Sequence, residues 1–285
     1  MKLNQMSDNN MTWEQAVIWL RAQTNQQELV RFCYYDDPLE DAAERFNTSE
    51  EWGAVMNLLS PKLPGKVLDL GAGRGISSYA FAKAGCTVTA LEPDPSPLVG
   101  AGAIRSLFSR TGLPVTIVEE RGEQLPFADG EFDIVYGRAV FHHAGDLKMF
   151  CAEAKRVLKP GGRFIMTREH VISRKEDLPS FLKSHALHHL YGGEHAYLLD
   201  SYTGAMHSAG LRSLKVTGPF ESPINYAPMT SAELRQMICR MYAGFLGQRL
   251  AGQLADWPVF TKWCKRRLSL KCDTPGRLCT FEATK

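Results

Sequence analysis

The segment Lys66-Val-Leu-Asp69-Leu-Gly71-Ala-Gly73-Arg-Gly75 constrains this chain more than any other. A β-rich run passes without a break into three glycines at alternate positions, and a stretch of small and apolar residues, Ile76 to Ala84, continues as a helix. Glycines in such a place let the backbone turn sharply and let a ligand approach it closely. The free N–H groups at the start of the next helix suit a carboxylate as well as a phosphate. Four more β-rich runs follow: Thr87-Val-Thr-Ala-Leu, Pro114-Val-Thr-Ile-Val, Phe132-Asp-Ile-Val-Tyr and Arg163-Phe-Ile-Met-Thr. Helix-forming segments separate them, and this alternation predicts a parallel, doubly wound α/β sheet.

On either side the rhythm differs. From Thr12 to Leu59 the spacing of Trp13, Val17 and Leu20, and the opening Ser49-Glu-Glu-Trp, predict helices, so residues 1–60 read as a helical leader or cap. Residues 61–170 form the ligand-binding core, and residues 171–285 read as the end of the same α/β domain. Within that end lie a His-rich lid segment (171–196), an amphipathic segment to Gly210, strand-like Leu214-Lys-Val-Thr, a helical insertion (219–275) and strand-like Arg277-Leu-Cys-Thr-Phe-Glu-Ala. At 285 residues the chain has room for one large domain or two small ones. The pattern favours one domain with helical additions.

Bulk properties exclude little but are consistent. Hydrophobic content of 44% and charged content of 22% suit an ordinary globular fold, and a net charge of +2 exerts no general pull toward nucleic acid. The first ten residues carry no apolar stretch, and no later run approaches the roughly 18 apolar residues of a membrane span. A cytoplasmic protein without integral membrane contact is expected. The seven cysteines include no Cys-x-x-Cys pair and read as reduced thiols packed as small hydrophobes.

Two features narrow the ligand. A dinucleotide fingerprint needs Gly-x-Gly-x-x-Gly, whereas here Ile76 follows Gly75 and the spacing is Gly-x-Gly-x-Gly. Glu92 stands at the end of the next β-run, about twenty residues downstream, where a carboxylate can accept hydrogen bonds from both hydroxyls of a ribose.

With these residues the sequence resembles the class I S-adenosylmethionine-dependent methyltransferases, from about Lys66 to His170. The resemblance also rests on Leu125-Pro-Phe-Ala-Asp-Gly-Glu-Phe-Asp133-Ile-Val, on His142-His143, on Arg156-Val-Leu-Lys-Pro-Gly-Gly-Arg-Phe and on Arg277-Leu-Cys-Thr-Phe-Glu-Ala, which is similar to the antiparallel strand that closes the family's sheet. It implies a Rossmann-like, mostly parallel seven-stranded sheet with an antiparallel last strand. It also implies S-adenosyl-L-methionine as cofactor, its methionine part over Gly71 and Gly73 with Asp69 beneath, its ribose on Glu92 and its adenine between Leu91 and Pro93. The family's acidic residue for the adenine amine is replaced here by Arg121, so that backbone groups of Arg121 and Gly122, or the side chains of Glu120 or Glu123, are left to make the contact. In the leader, Tyr34-Tyr35 and Arg45-Phe46 are placed to fold over the cofactor, with Arg45 as a partner for its carboxylate or as a solvated helix residue.

Ligands of an open parallel sheet lie beyond the carboxyl ends of its strands, so Arg138, Phe141, His142, His143, Arg168, Glu169 and His170 are placed toward a methyl acceptor. His142, His143 and His170 are the candidate bases, against the commoner role of packing or capping histidines. His185 and His189, four apart with Glu194 near, raise the question of a metal, but the spacing is not His-Glu-x-x-His and no metal is expected. The run Trp257 to Lys271 interleaves basic and aromatic residues; it is suited to phosphates, nucleic acid or an anionic membrane, or is a solvated helix face whose Trp and Phe pack inward. The expected activity is methyl transfer to O or N of a small molecule such as a saccharide, a nucleotide sugar or another biosynthetic intermediate. The alternatives are an RNA methyltransferase and a non-methylating sensor or partner subunit. The oligomeric state is not legible.

Overall fold

The computed structural model describes residues 11–188 and 190–285. Four leading helices come first: α1 (Trp13–Arg21), α2 (Gln27–Phe32), α3 (Leu39–Asn47) and α4 (Glu50–Leu59). The side chain of Thr12 accepts from the Gln15 N–H while the Gln15 side chain accepts from the Thr12 N–H, and Ser49 caps α4 through the Trp52 N–H. Leu39, Ala42, Phe46, Trp52 and Val55 of α3 and α4 are buried against the core, and the expected inward positions Val17 and Leu20 of α1 are buried too.

The alternating region follows as β1 (Lys66–Leu70), α5 (Ile76–Lys83), β2 (Thr87–Leu91), α6 (Ala101–Thr111), β3 (Thr116–Val118), β4 (Phe132–Arg138), α7 (Leu147–Val157) and β5 (Leu158–Ile172). Beyond it lie α8 (Leu178–Ser184), β6 (Tyr197–Leu198), α9 (Leu199–Ser208) and β7 (Arg212–Thr217). The helices α10 (Pro223–Tyr226), α11 (Ser231–Leu246), α12 (Gln248–Asp256) and α13 (Pro258–Lys271) precede the last strand, β8 (Arg277–Thr284). The sheet order is β3-β2-β1-β4-β5-β8-β7, with two-residue β6 beside the end of β5, one strand more than the seven expected. β1 pairs in parallel with β2 and β4, and β4 with β5, while β8 runs antiparallel between β5 and β7. No helix among the described residues is long and apolar enough to cross a membrane.

The sheet is covered on both faces because its strands are apolar on both. Val67, Ile134, Tyr136 and Ile165 face one core with α3, α4 and α5, and Leu68, Leu70, Val135, Phe164 and Met166 face the other with α7 and α9. The strand order reverses between β1 and β4, which opens a crevice at their carboxyl ends.

One irregularity bears on that crevice. Thr167 and Arg168 on β5 together face Thr280 on β8, and Arg168 adopts φ 59°, so a bulge re-phases the strand. Alternation would put Glu169 on the face opposite Met166; the extra residue puts both on one face.

Candidate active site

The loop after β1 has the conformation its glycines allow. Gly71, Gly73 and Gly75 have φ of 59°, 55° and 82°, and a Cβ on Gly71 would lie 2.2 Å from Val140 Cγ2. The Gly73 N–H donates to Glu92 Oε2 at 2.7 Å, and the Asp94 N–H donates to Glu92 Oε1 at 3.0 Å. These two bonds orient the carboxylate and leave a lone pair on each oxygen for a diol. Burial pushes the Glu92 carboxyl up to about 6 against the pull of those N–H groups. Asp69 does not line the crevice. Its Oδ2 accepts from the hydroxyls of Ser77 and Ser78 at 2.7 and 2.6 Å, tying β1 to the first turn of α5, and burial raises its carboxyl to about 6.

Over the loop lies a cavity of about 330 Å³. Its floor is Gly71 to Arg74 with Ile76 and Ser77; Glu92, Pro93, Asp94 and Val99 form one wall, and Arg138 to Val140 with His143 form the other. Trp13, Tyr34 and Tyr35 of the leader and Tyr191 of the His-rich stretch complete the lining. The Trp13 ring meets Tyr191 edge-on at 5.1 Å, so leader and His-rich stretch touch above the cavity. Arg74 holds the leader there: its guanidinium donates to the carbonyls of Tyr34 and Asp36 at 2.7 and 2.9 Å and to the Asp37 carboxylate at 2.7 Å. Arg74 stands between two glycines of the loop, and no spacing rule singles it out.

Other expected residues stand elsewhere. Arg45 does not line the cavity; Asp36, 2.6 Å away, and the Arg31 carbonyl take its guanidinium, because these acceptors of the leader are nearer to it. Arg121 lines a second hollow with Glu120, Glu123 and Met149, and Pro93 borders both spaces. Gly122 packs so closely on Phe150 that a Cβ would lie 2.6 Å from its ring. Phe141 is buried in the core, and Arg138, although at the wall, is engaged by Glu51 through two hydrogen bonds of 2.7 and 3.1 Å. Arg168 donates to the carbonyls of Ile224 and Ala227 at 2.8 and 3.1 Å, fastening the insertion to β5.

Behind the His143 wall the candidate histidines converge. His142 is buried between two carboxylates, with Nδ1 2.7 Å from Glu169 Oε2 and Nε2 3.3 Å from Glu194 Oε1. Burial alone would lower its pKa, but these carboxylates raise it to about 9. Glu169 also accepts the backbone N–H groups of Val140 and His142, each at 3.1 Å, which is the consequence of the bulge on β5. The His170 ring lies 4.8 Å from the His142 ring with its Nδ1 2.9 Å from the Gly276 carbonyl, and burial holds its pKa well below the ordinary value. Of the three, only His143 lines the cavity.

The described histidines of the His-rich stretch lie beyond the helix that precedes them. α8 ends at Ser184, His185 is extended, and its ring stacks on His188 at 4.3 Å; His189 lies outside the described residues. From this stretch it is Glu194 and His188 that join the cluster, with His188 Nε2 3.9 Å from Glu194 Oε2. The basic run lies on α13, where Phe260 packs on Tyr242 while Trp257 and Trp263 stay about half exposed, Arg267 lying over Trp263. Its aromatic residues therefore do not all pack inward.

Residues 68–166 match the family described as "Methyltransferase domain". The chain is 31% identical over 162 residues to a ubiquinone biosynthesis O-methyltransferase of Methylobacterium nodulans, covering 55% of this chain and 64% of that one. It is 35% identical over 139 residues to a sarcosine/dimethylglycine N-methyltransferase of Halorhodospira halochloris, covering 47% of each. The chain thus spans less than two-thirds of the length of either relative. Among solved structures, a geranyl diphosphate methyltransferase in complex with SAM is similar in fold, with a TM-score of 0.56 at 18% identity over 87% of this chain and 91% of that one.

Proposed function

We propose that this chain, which carries a class I S-adenosylmethionine-dependent methyltransferase domain on a Rossmann-like sheet, transfers a methyl group from S-adenosylmethionine to O or N of a small molecule. The observation that carries the acceptor class is the partial cover that the leader and the His-rich stretch form over the cavity. Trp13, Tyr34 and Tyr35 from the leader and Tyr191 from the His-rich stretch line a space of about 330 Å³, which suits a small acceptor better than a polymer.

In this reading Glu92 accepts the ribose hydroxyls, the backbone of Gly71 and Gly73 lies against the methionine part, and the acceptor enters on the His143 side. When bound, S-adenosylmethionine would supply an electrophilic methyl group, its carbon–sulfur bond breaking as the acceptor's new bond forms, with the electron pair left on sulfur as a neutral thioether. Alignment and exclusion of water supply most of the rate enhancement. An acceptor hydroxyl or protonated amine must also lose a proton, and the histidines at the acceptor end, His143 at the wall with His142 and His170 behind it, are the groups nearest that task.

Incubation with methyl-labelled cofactor and a metabolite extract tests the reading. Label in small molecules is expected. Label in RNA would favour a nucleic-acid acceptor, and cofactor binding without turnover would favour a sensor or partner subunit; either result overturns the proposal.

A further inference from the structure

We propose that His142, His143 and Glu194 form a binding site for one divalent first-row transition ion of the zinc class, open toward the cavity. The inference rests on the reading above only for its catalytic use, since binding can be measured without turnover.

Hydrogen bonding determines where the lone pairs point. His142 Nδ1 lies 2.7 Å from Glu169, which can only accept there, so that nitrogen carries a proton, and in the neutral ring Nε2 presents its lone pair. His143 Nδ1 lies 3.1 Å from the Gly193 carbonyl, with the same result. Both Nε2 atoms then turn to Glu194, at 3.3 Å from Oε1 for His142 and 4.0 Å from Oε2 for His143. The Glu194 side chain is 4% exposed, and its Oε1 makes no hydrogen bond. With both Nε2 atoms unprotonated, two lone pairs face a buried carboxylate, and a cation must stand among them: a proton on His142 or a metal ion that displaces it.

The spacing and chemistry of the donors suit such a cation. One ligand atom from each residue lies within 4.8 Å of the others, and the His142–Glu194 separation of 3.3 Å matches the roughly 3.3 Å between ligands of a tetrahedral ion with bonds of about 2.0–2.1 Å. Two imidazoles and one carboxylate favour zinc and its neighbours over magnesium or calcium, which prefer all-oxygen shells. Glu169 behind His142 and the Gly193 carbonyl behind His143 supply the outer partners that orient metal-binding histidines. His170 and His188 with Glu194 form a second, deeper set of three whose ligand atoms also lie within 4.8 Å of one another.

Three protein ligands leave a fourth position, and because His143 lines the cavity, that position faces the acceptor. An acceptor hydroxyl bound there would lose its proton to water at lower pH, and the resulting oxyanion would attack the methyl carbon. The ion then serves in place of a histidine base.

The test uses the full chain after chelator treatment, titrated with Zn²⁺ by calorimetry and with Co²⁺ by visible absorption. One ion per chain and ligand-field bands typical of low coordination are expected. Glu194→Gln and His143→Ala should each weaken Zn²⁺ binding about a hundredfold or more. Circular dichroism checks the fold, and His143→Ala carries the test should the more buried Glu194 variant unfold. Absence of stoichiometric binding in the unaltered chain overturns the site, as does undiminished binding in His143→Ala, which would place any ion on the deeper set. Cofactor affinity, measured on the same samples, separates this failure from failure of the methyl-transfer reading.

Discussion

The two ends of the cavity are built differently. The glycine-loop end comes from one strand, one turn and the tip of the adjacent strand: Gly73 and Glu92 lie nineteen positions apart, and the Gly73 N–H donates to the Glu92 carboxylate beyond the ends of the paired strands β1 and β2. At the histidine end, His142 and His143 after β4 meet Glu169 on β5 and Glu194 on a turn-rich stretch. The first end depends on backbone conformation and tolerates little change of side chain in the loop. The second depends on side chains brought together by the bulge on β5 and by the packing of residues 185–195, so its chemistry is open to alteration without altering the sheet.

The largest expected effect strikes the backbone-built end. Gly71→Val places a branched side chain at φ 59° and against Val140, and should destabilise the protein by about 3 kcal/mol or more while abolishing cofactor binding. Chemical denaturation and calorimetry measure the two effects, and a stable, binding-competent variant would break the contrast between the ends.

Next comes the anchor between loop and leader. Arg74→Met leaves the Tyr34 and Asp36 carbonyls without their guanidinium donor and the Asp37 carboxylate with Arg21 alone, at a cost of about 2 kcal/mol. Hydrogen exchange should accelerate around Tyr34 to Asp37, and cofactor affinity should fall with it.

A smaller effect follows from Glu92. Its carboxyl is held near 6, above its ordinary value, because burial disfavours the charge. The apoprotein therefore loses stability as pH rises from about 4.5 to 6, where the folded state holds a proton that the unfolded chain releases. Cofactor binding has the opposite sign: the ionised carboxylate accepts ribose hydroxyls, so affinity should fall by up to about tenfold per unit below pH 6. Glu92→Ala should weaken binding by about 2 kcal/mol and flatten that profile. A pH-independent affinity in the unaltered chain would remove Glu92 from the ribose.

The smallest effect concerns the leader. Arg45→Ala should change cofactor affinity less than about threefold, because its guanidinium is spent on Asp36 and the Arg31 carbonyl and does not line the cavity. A larger loss would restore Arg45 to the cofactor carboxylate.

The strands, their order of appearance, the glycine loop and Glu92 were legible because each depends on local rules: alternating burial, left-handed backbone, and a residue at a strand end. Only the packed chain showed that Asp69 Oδ2 accepts from Ser77 and Ser78, that Arg74 ties the glycine loop to the leader while Arg45 pairs with Asp36, and that Glu194 sits among His142, His143 and His188. α8 stops at Ser184, so His185 stands beyond the helix, and the spacing read for His185 and His189 falls in part outside the described residues. The sequence by itself determined the sheet and the crevice, since period and glycine placement act over a few residues. The tertiary structure decided which charges meet, because a bulge that re-phases β5 and a turn that brings in Glu194 cost one residue of register and leave no periodic mark.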